Sequence, residues 1–494
     1  VHISFINNDF TWLDHNDIEE ERAVLELTDL PQAFFKPFGE TSFYRPVVTI
    51  VNSFDNALYE KRAWGYHLTN LLLHLTVVAL VPSFLSVFFN LSSKQKYLAA
   101  LVVGLHPASI LVVGSSTQRQ EPLFLIFMML TLILHKKKSL LTPLVFMADL
   151  MSKETALVIT PALITFWELL EKDNKKLKTK LWTSEILVII SYLALRMHSL
   201  TAIWGTKAPL LSVNQNIGTR LGLFSRWVLI LIRPIKPNFS DAVPILNLTN
   251  IWAVTAILTI LAILFAIFRS GLKSDVGKSL ILTLIFLLPG QNIIPVSRIG
   301  SPHYIYLPSI GFSVLVVTLL SKLRGTLISK SALTIWLIVA SISTFTAGFQ
   351  FENDEKLFKP EVVADPNFFE GHYYLGNYYL RGGDLDEAEK GFESAILDNQ
   401  SLLAFRDQSS ILTNLAGVKL QQGKLDESED LYKKVLSSSP ENLKPFLTFN
   451  LALVAYYKKD YQKASEILDS YDWGGADFKL MTDVKKLKNT VKSR

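Results

Sequence analysis

The chain has 494 residues, of which 49% are hydrophobic and 19% are charged, and its mean hydropathy is +0.29. This composition is more apolar than that of an ordinary soluble domain and indicates that the lipid bilayer is the solvent for much of the chain. The absence of cysteine excludes disulfides, thiolate zinc sites and a cysteine nucleophile. The net charge of +5 does not indicate nucleic-acid binding, because Lys and Arg gather in short segments between apolar runs.

The first stretch of chain, residues 1–63, carries a compact acidic sequence, NNDFTWLDHNDIEEER. Asp14 and Asp17 are three residues apart, so they face the same way if the segment is helical. One could act as a general base while the other binds a divalent metal or orients the first. Alternatively, Asp14 caps the turn that precedes IEEER, since Asp favours such positions. Because the chain begins at Val1 rather than Met, we expect a first membrane helix upstream.

Long apolar runs follow and predict a polytopic helical membrane domain over residues 1–351. Several runs approach or exceed the length that spans about 30 Å of hydrocarbon, and the shorter ones indicate tilted or interrupted helices. The runs lie at 64–89, 97–113, 121–135, 139–151, 155–170, 181–198, 218–234, 250–269, 278–290, 303–321 and 331–350.

Lys and Arg are concentrated in connections that the positive-inside rule assigns to the cytoplasm, at 94–96, 135–138, 171–180, 269–278 and 321–330. The opposite side then holds 1–63, 114–120, 152–154, 199–217, 291–302 and everything after 351. One segment, 221–237, would have to cross between two loops of the same side. We interpret it as re-entrant or interfacial, because Arg220, Arg226 and Arg233 are too costly to face lipid.

Polar residues recur at the predicted non-cytoplasmic edge, in SFYRP, GLHP, STQRQE, SKE and VSRIGSPHY. Charges at a membrane boundary are costly unless they are paired or functional, so we expect these to converge on one cavity. The candidate phosphate-binding side chains there are Arg45, Arg119, Lys153, Arg298 and His303, with Arg suited to bidentate contact. Each could instead anchor the membrane interface, and Lys153 and Glu154 could form an internal ion pair.

Further polar residues are predicted to line the same pocket: His15, His67, Asn70, Glu121, Glu154 and Tyr304. His67, Asn70 and His74 lie at i, i+3 and i+7 and therefore share one helix face. The histidines could ligate a metal, although hydrogen bonding between packed helices is the favoured alternative.

After Phe351 the composition becomes polar, charged and helix-forming, which predicts a separate soluble domain over 352–494. Three of its segments align with spacings of 40 and then 36 residues, and the corresponding positions are Leu375, Leu415 and Leu451; Gly376, Ala416 and Ala452; and Ala388, Ser428 and Ala464. Small residues suit close helix crossings, and the pattern resembles the tetratricopeptide repeat, which forms an α-solenoid. Because such repeats usually present a concave binding surface, we expect a protein partner there.

Seven motifs precede the repeats, in the order FTWLDHNDI, YRPV, WGYHLTNLLLH, GLHP, STQRQE, MSKETALVITP and YIYLPSIGF. This order resembles that of the transmembrane and tetratricopeptide-repeat O-mannosyltransferase family and its bacterial relatives. These are polytopic glycosyltransferases of the GT-C class. The resemblance covers nearly the whole chain, implies an all-α fold and places the catalytic acidic motif of the family at Asp14 and Asp17. The family commonly has Glu-Arg-Tyr-Leu-Tyr-Leu-Pro where this chain has His303 in place of Arg; Arg298 could compensate.

The resemblance implies transfer of a sugar from a polyprenyl-phosphate donor to the hydroxyl of a protein or envelope-glycan acceptor on the non-cytoplasmic side. Asp14 is the expected base, and attack from the opposite face would invert the sugar. Basic side chains or a divalent metal, with Asp17 as the candidate ligand, would stabilise the departing phosphate. No other cofactor is indicated beyond the lipid-linked sugar as co-substrate, and the chain lacks G-x-G-x-x-G and P-loop motifs.

Two other classes of protein fit parts of this pattern. An O-antigen ligase or polymerase also combines many helices with repeats in some members, although the acidic first loop favours the O-mannosyltransferase type. A non-enzymatic membrane scaffold or transporter would use the repeats to dock an envelope partner, with the acidic loop as a cap only. The expected location is a bacterial cytoplasmic membrane with periplasmic repeats or, as the alternative, an endoplasmic reticulum membrane with luminal repeats.

Overall fold

The computed structural model describes the chain except residues 40, 172–174, 201–210, 293–296, 323–326, 439–440 and 476–477. The chain divides into two units, Val1–Leu357 with Ser401–Leu403, and Phe358–Gln400 with Ala404–Arg494. The division falls inside a helix, a few residues after the predicted boundary at 351. Parts of four predicted loops, within 171–180, 199–217, 291–302 and 321–330, lie outside the described residues.

The first unit is built from helices. Its first stretch contains short turns of helix at His2–Phe5, His15–Glu19 and Leu27–Phe34. The longer elements are α1 Pro46–Tyr59, α2 Ala63–Phe88, α3 Ser93–Leu105, α4 Ile110–Gly114, α5 Gln120–Lys136, α6 Thr142–Leu150, α7 Ala156–Leu170, α8 Lys175–Ser199, α9 Val213–Ile232, α10 Ile251–Ser270, α11 Asp275–Leu287, α12 Tyr306–Lys322, α13 Leu327–Gly348 and α14 Asp354–Ala364. Two short strands, β1 Val243–Pro244 and β2 Leu402–Leu403, pair antiparallel with Val243 opposite Leu403.

The predicted all-α class is confirmed, and α2 to α13 follow the predicted apolar runs in order. Local signals explain several helix ends. Side chains of Ser92, Ser212, Asn250 and Ser274 accept hydrogen bonds from backbone N–H groups at the starts of α3, α9, α10 and α11. After α3, Pro107 cannot continue the helix, and the segment Pro107–Gly114 is bent by 51° from Ser93–Leu105.

Within the described residues, four helices are long and apolar enough to cross a membrane: Ala63–Phe88, Ile251–Ser270, Pro302–Lys322 and Leu327–Glu352; the count is five if the bent pair Ser93–Leu105 and Pro107–Gly114 forms one span. These spans support an integral membrane protein. Their centre is an apolar core in which α2, α5, α11 and α12 contribute Phe84, Phe124, Phe286 and Tyr306, all fully buried. Burial of such side chains removes large apolar areas from the surface and fixes the loops at both ends.

Loops that are predicted to lie on the same side of the membrane meet at the same end of α2. Lys136 and Lys278, from two predicted cytoplasmic connections, donate to the carbonyls of Ser86 and Phe88 at its last turn. Near its first turns, by contrast, the His67 ring meets the carbonyl of Asp9 from the first loop (3.3 Å). The two classes of loop are therefore separated, as the topology prediction requires, while their assignment to cytoplasm or exterior stays a prediction.

The segment predicted as re-entrant lies mainly in α9, which is not among the membrane-length apolar helices of the described chain. Arg226 donates to the carbonyls of Ser240 (2.6 Å) and Ala242 (2.8 Å), and Arg220 donates to the carbonyl of Gln291 (2.6 Å). Both guanidinium groups are thus satisfied inside the protein, which lowers the cost of placing them near lipid. The depth of α9 in the membrane stays a prediction.

The second unit stacks helix pairs: α15 Phe369–Gly382 with α16 Leu385–Ala395, α17 Gln408–Gln421 with α18 Leu425–Leu436, and α19 Lys444–Tyr457 with α20 Tyr461–Ser470. The aligned small residues lie at the crossings. Ala388, Ala416, Ser428, Ala452 and Ala464 are fully buried. The final helix, α21 Phe478–Lys492, packs Val484, Leu487 and Val491 against the last pair and closes the stack.

Candidate functional site

Asp14 lies at the start of the helical turn His15–Glu19 and is fully buried. One carboxylate oxygen accepts from the Thr117 N–H (2.8 Å) and the Ser115 hydroxyl (3.1 Å), and the other accepts from the Ser116 N–H (3.1 Å). Burial raises the pKa of this carboxyl, opposed by His67 and by the N–H groups it accepts from. Asp14 therefore fastens the first loop to the turn ahead of α5 instead of capping its own turn.

Asp17, three residues further along the same turn, is only half-buried. Burial and the neighbouring Asp14 raise the pKa of Asp17 to about 7, while Arg298, Arg45 and Arg22 oppose the rise. A carboxylate that titrates near neutral pH and faces cations is well suited to accept a proton. The two acidic residues that the sequence paired thus lie in different environments.

His15 and the backbone of Trp12 are held by a residue far along the chain, Asp354. One Asp354 oxygen accepts from the Trp12 N–H (2.9 Å), and the other is 2.9 Å from His15 Nε2. The remaining ring nitrogen of His15 contacts Glu19. Trp12 has a positive φ of 58° although it is a large, buried aromatic residue, a strained conformation that persists only when neighbouring contacts hold it.

Arg45, at the start of α1, makes two hydrogen bonds from Nε (3.2 Å) and Nη2 (3.0 Å) to one oxygen of Glu154. The other Glu154 oxygen is 3.5 Å from Nη1 of Arg196 in α8. Although burial alone would raise it, Arg45 and Arg196 lower the pKa of Glu154. Sequence reasoning missed Arg196; its signal was an arginine at the predicted outer end of an apolar run.

Lys153 pairs with Glu121, and its ammonium group also lies 5.4 Å from the centre of the Tyr304 ring. The expected pair of Lys153 with Glu154 is therefore wrong. Adjacent residues in the turn between α6 and α7 point to different partners, because Glu154 is taken by the two arginines. His303 Nε2 lies 3.7 Å from the same Glu121 oxygen, and its Nδ1 is 2.7 Å from the Ser301 hydroxyl.

Arg298 belongs to a loop that packs tightly on the segment before β1. The Gly300 N–H donates to the Asp241 carbonyl (3.2 Å), and a Cβ at Gly300 would lie 2.6 Å from that oxygen. This close approach needs glycine. It holds Arg298 within electrostatic range of both Asp17 and His303.

The structure thus brings many of the predicted residues together: Arg45 and Arg298 lie within electrostatic range of Asp17, and beside these two arginines Glu121, Lys153, Glu154, His303 and Tyr304 contact or lie within range of one another. Arg119 is elsewhere. It is fully buried and binds Asp55 (2.7 Å) and the Ser116 carbonyl (3.0 Å). Arg119 supports the turn to which Asp14 is hydrogen-bonded. This buried position does not favour contact with a phosphate.

His67, Asn70 and His74 make hydrogen bonds between structural elements. Asn70 donates to the carbonyls of Val112 (3.0 Å) and Ser115 (2.8 Å), and His74 Nδ1 is 2.7 Å from the Tyr306 hydroxyl. Within the described part of the chain, no group of three or more His, Asp and Glu side chains is arranged to hold a metal ion. The predicted role for a divalent metal therefore gains no ligand set here, and we derive no step through one.

Fold and site together define an integral membrane protein that clusters acidic and basic side chains under short loops and continues into a helical-repeat unit. The tetratricopeptide repeat model matches residues 373–443. This finding agrees with the predicted repeats.

Curated relatives extend the similarity to most of the chain. It is 26% identical over 428 residues to a protein O-mannosyl-transferase of Caenorhabditis elegans, a match that covers 80% of this chain and 60% of the relative. It is also 25% and 24% identical over 145 residues to protein O-mannosyl-transferase TMTC2 of Homo sapiens and Mus musculus, which covers 28% of this chain and 17% of each relative. The chain thus spans about 60% of the length of the nematode protein. The predicted resemblance to this family is confirmed.

Proposed function

We propose that the chain is a membrane glycosyltransferase that moves a sugar from a polyprenyl-phosphate donor to an acceptor hydroxyl, with inversion, on the side of the membrane that holds the first loop. The relatives are named protein O-mannosyl-transferases, which supports transfer of mannose to protein. The observation that carries the proposal is Asp17, a half-buried carboxylate with its pKa raised to about 7 beside two arginines.

Asp17, and not Asp14, is the general base in this proposal. Asp14 already accepts three hydrogen bonds from the turn at 115–117, so most of its acceptor sites are occupied and its place is fixed. Asp17 takes the proton of the acceptor hydroxyl as that oxygen bonds to the anomeric carbon, and the bond from that carbon to the phosphate oxygen breaks. Attack on the face opposite the phosphate inverts the configuration.

The departing polyprenyl phosphate carries negative charge, and fixed cations that face it lower the barrier. Arg298 is the leading phosphate contact, because it lies in range of both Asp17 and His303. Arg45 and Lys153 are held in place by Glu154 and Glu121, which removes much of the entropy cost of ordering them. We add Arg196 to the candidate phosphate-binding residues and remove Arg119 from them.

The repeat unit supplies a surface for a protein acceptor or partner. A groove of about 650 Å³ runs along it, lined by amide and apolar side chains that include Asn414, Asn450, Phe446 and Tyr457. An extended peptide could use the amides for main-chain hydrogen bonds and the rings for apolar contact. Because the relatives come from animals, we favour the endoplasmic reticulum over the bacterial membrane.

The test is Asp17→Asn in the full chain, purified into lipid nanodiscs and supplied with polyprenyl-phosphate mannose and an acceptor protein. Loss of a general base predicts a fall in transfer of about 10²–10⁴-fold. Glu20→Gln is the matched control, an exposed acid of the same turn that pairs with Arg22, and it should retain transfer.

The pKa of Asp17 also provides a control for correct folding of the variant. Because the pKa of Asp17 is raised to about 7 in the fold, stability falls as pH rises from the unfolded pKa of about 3.9 to about 7, and the full cost of ionising Asp17 is present above that. Asp17→Asn should therefore melt no lower than the wild type at pH 8. Full transfer by a folded Asp17→Asn protein would reject the base. A wild type that transfers no sugar across a panel of lipid-linked donors would favour the scaffold alternative.

A further inference from the structure

Asp354 contacts the first loop at two places that flank Asp14. Its carboxylate accepts from the Trp12 N–H two residues before Asp14 and meets the His15 ring one residue after it, both at 2.9 Å. The Asp354 side chain is fully buried. A buried carboxylate is stabilised only by such charged or N–H partners, so the contacts fix the carboxylate and the loop with respect to each other.

The backbone at Trp12 needs this support. A non-glycine residue in the left-handed region costs about 1 kcal/mol or more, and Trp12 adopts φ of 58° while its ring is buried. The Trp12 N–H donates to the Asp354 carboxylate. Without that acceptor, relaxation of Trp12 toward ordinary backbone angles would rotate the chain that leads into Asp14 and Asp17.

His15 extends the contact to the turn that carries Asp17. Its Nε2 faces Asp354 and its Nδ1 faces Glu19, four residues further on. Asp354, His15 and Glu19 thus form a chain of contacts that spans the helical turn His15–Glu19, in which Asp17 lies.

We propose that Asp354 is a positioning residue for Asp17: it holds the strained Trp12 backbone and the His15 ring so that the Asp17 carboxylate faces the cations of the site. This inference rests on the proposed function, because it assigns Asp17 the role of base. Asp354 acts through the loop and does not touch the reacting atoms. An asparagine keeps an acceptor for the Trp12 N–H but lacks the negative charge that Asp354 presents to the His15 ring.

The test compares Asp354→Asn with Glu352→Gln in the full chain in nanodiscs. Glu352 is an exposed acid two residues away whose side chain pairs with Lys356, and its variant should resemble the wild type. Asp354→Asn should lower kcat by roughly 10²-fold, as a misplaced catalytic group does, with KM for the lipid donor unchanged. The acid limb of its pH–rate profile should also move, because Asp17 would sit differently against Arg298 and Arg45. An unchanged kcat in the folded variant overturns the proposal.

His15 provides a second pair of variants if Asp354→Asn does not fold. His15→Gln keeps one N–H donor for Asp354, whereas His15→Ala keeps none, so kcat should fall further with alanine than with glutamine. Equal kcat values for both variants and the wild type overturn the proposal.

Hydrogen–deuterium exchange separates this inference from the proposed function. The amides of residues 12–17 should exchange faster in Asp354→Asn than in Glu352→Gln, whether or not any sugar is transferred. If the wild type is inactive but this difference is seen, the proposed function fails and the positioning of the loop stands. If exchange of the loop is unchanged, the positioning role is rejected.

Discussion

The first-loop site and the repeat unit both place carboxylates among basic side chains, with opposite consequences for their pKa. In the repeats, Glu429 meets Lys433, Lys458 and Lys463, whose hydrogen bonds lower the pKa of Glu429. In the first loop, burial and Asp14 raise the pKa of Asp17 to about 7 although arginines are near. Charges in the repeats are paired for structure, whereas the site keeps one carboxylate poised to exchange a proton, an arrangement typical of functional sites.

A second contrast lies within the site. Asp14 and Asp17 are three residues apart in one acidic motif, yet the first is fully buried with three donors and the second is half-buried. The difference comes from the turn at 115–117, which offers its N–H groups to Asp14. In the function we propose, Asp14 therefore builds the site and Asp17 acts in it.

The largest effect should come from removing the structural carboxylate. Asp14→Ala leaves the buried N–H groups of Ser116 and Thr117 without their acceptor, at a cost of about 1–3 kcal/mol for each unsatisfied group. We expect a clear loss of thermal stability in detergent together with loss of transfer. Asp17→Asn should show the loss of transfer without the loss of stability. Equal melting temperatures for Asp14→Ala and the wild type would contradict the role given to Asp14.

An intermediate effect is expected at Arg298. Its positive charge lowers the pKa of Asp17, so Arg298→Ala should raise that pKa and move the acid limb of the pH–rate profile to higher pH. Arg298→Lys keeps the charge and should move the limb less, while its poorer phosphate geometry weakens donor binding. A limb that stays in place in Arg298→Ala would remove this residue from the site.

The smallest effect is expected in the repeats. Glu429→Gln removes contacts to three lysines, and because these are partly exposed the loss should be about 1 kcal/mol of stability. The lowered pKa means that this stabilisation is full above the unfolded pKa of about 4.3 and is lost as pH falls below it. Glu441→Gln, in an exposed pair with Lys444, is the control and should change almost nothing. Chemical unfolding followed by circular dichroism measures both.

The helices could be predicted because their signals are local. Apolar runs, the proline at 107 and the serine caps act within a few residues, so α2 to α13 follow the predicted runs. The repeats could be predicted for the same reason, since small residues recur at the crossings. Arg45, Lys153 and Arg298, from three of the motifs expected to converge, do lie in one cluster, whereas Arg119 of a fourth motif does not.

The partners inside the site could not be predicted in the same way. Asp354 is hydrogen-bonded to a loop more than three hundred residues earlier in the chain. Nothing in the sequence around Asp354 predicts this contact. Arg196 likewise pairs with Glu154, and Asp55 pairs with Arg119; in both pairs the partners are distant in sequence. The contacts of Asp14 with the turn at 115–117 could not be predicted either, because backbone N–H groups carry no signature in a side-chain pattern.

The central claim is that Asp17 works as a base with a pKa near neutrality, and the pH dependence of kcat for mannosyl transfer tests it most directly. The rate should rise with pH through a limb centred near 7 and then level off, as Asp17 loses its proton. The limb should be absent from the residual activity of Asp17→Asn and unchanged in Glu429→Gln. A rate that is already maximal at pH 5 in the wild type would contradict the account.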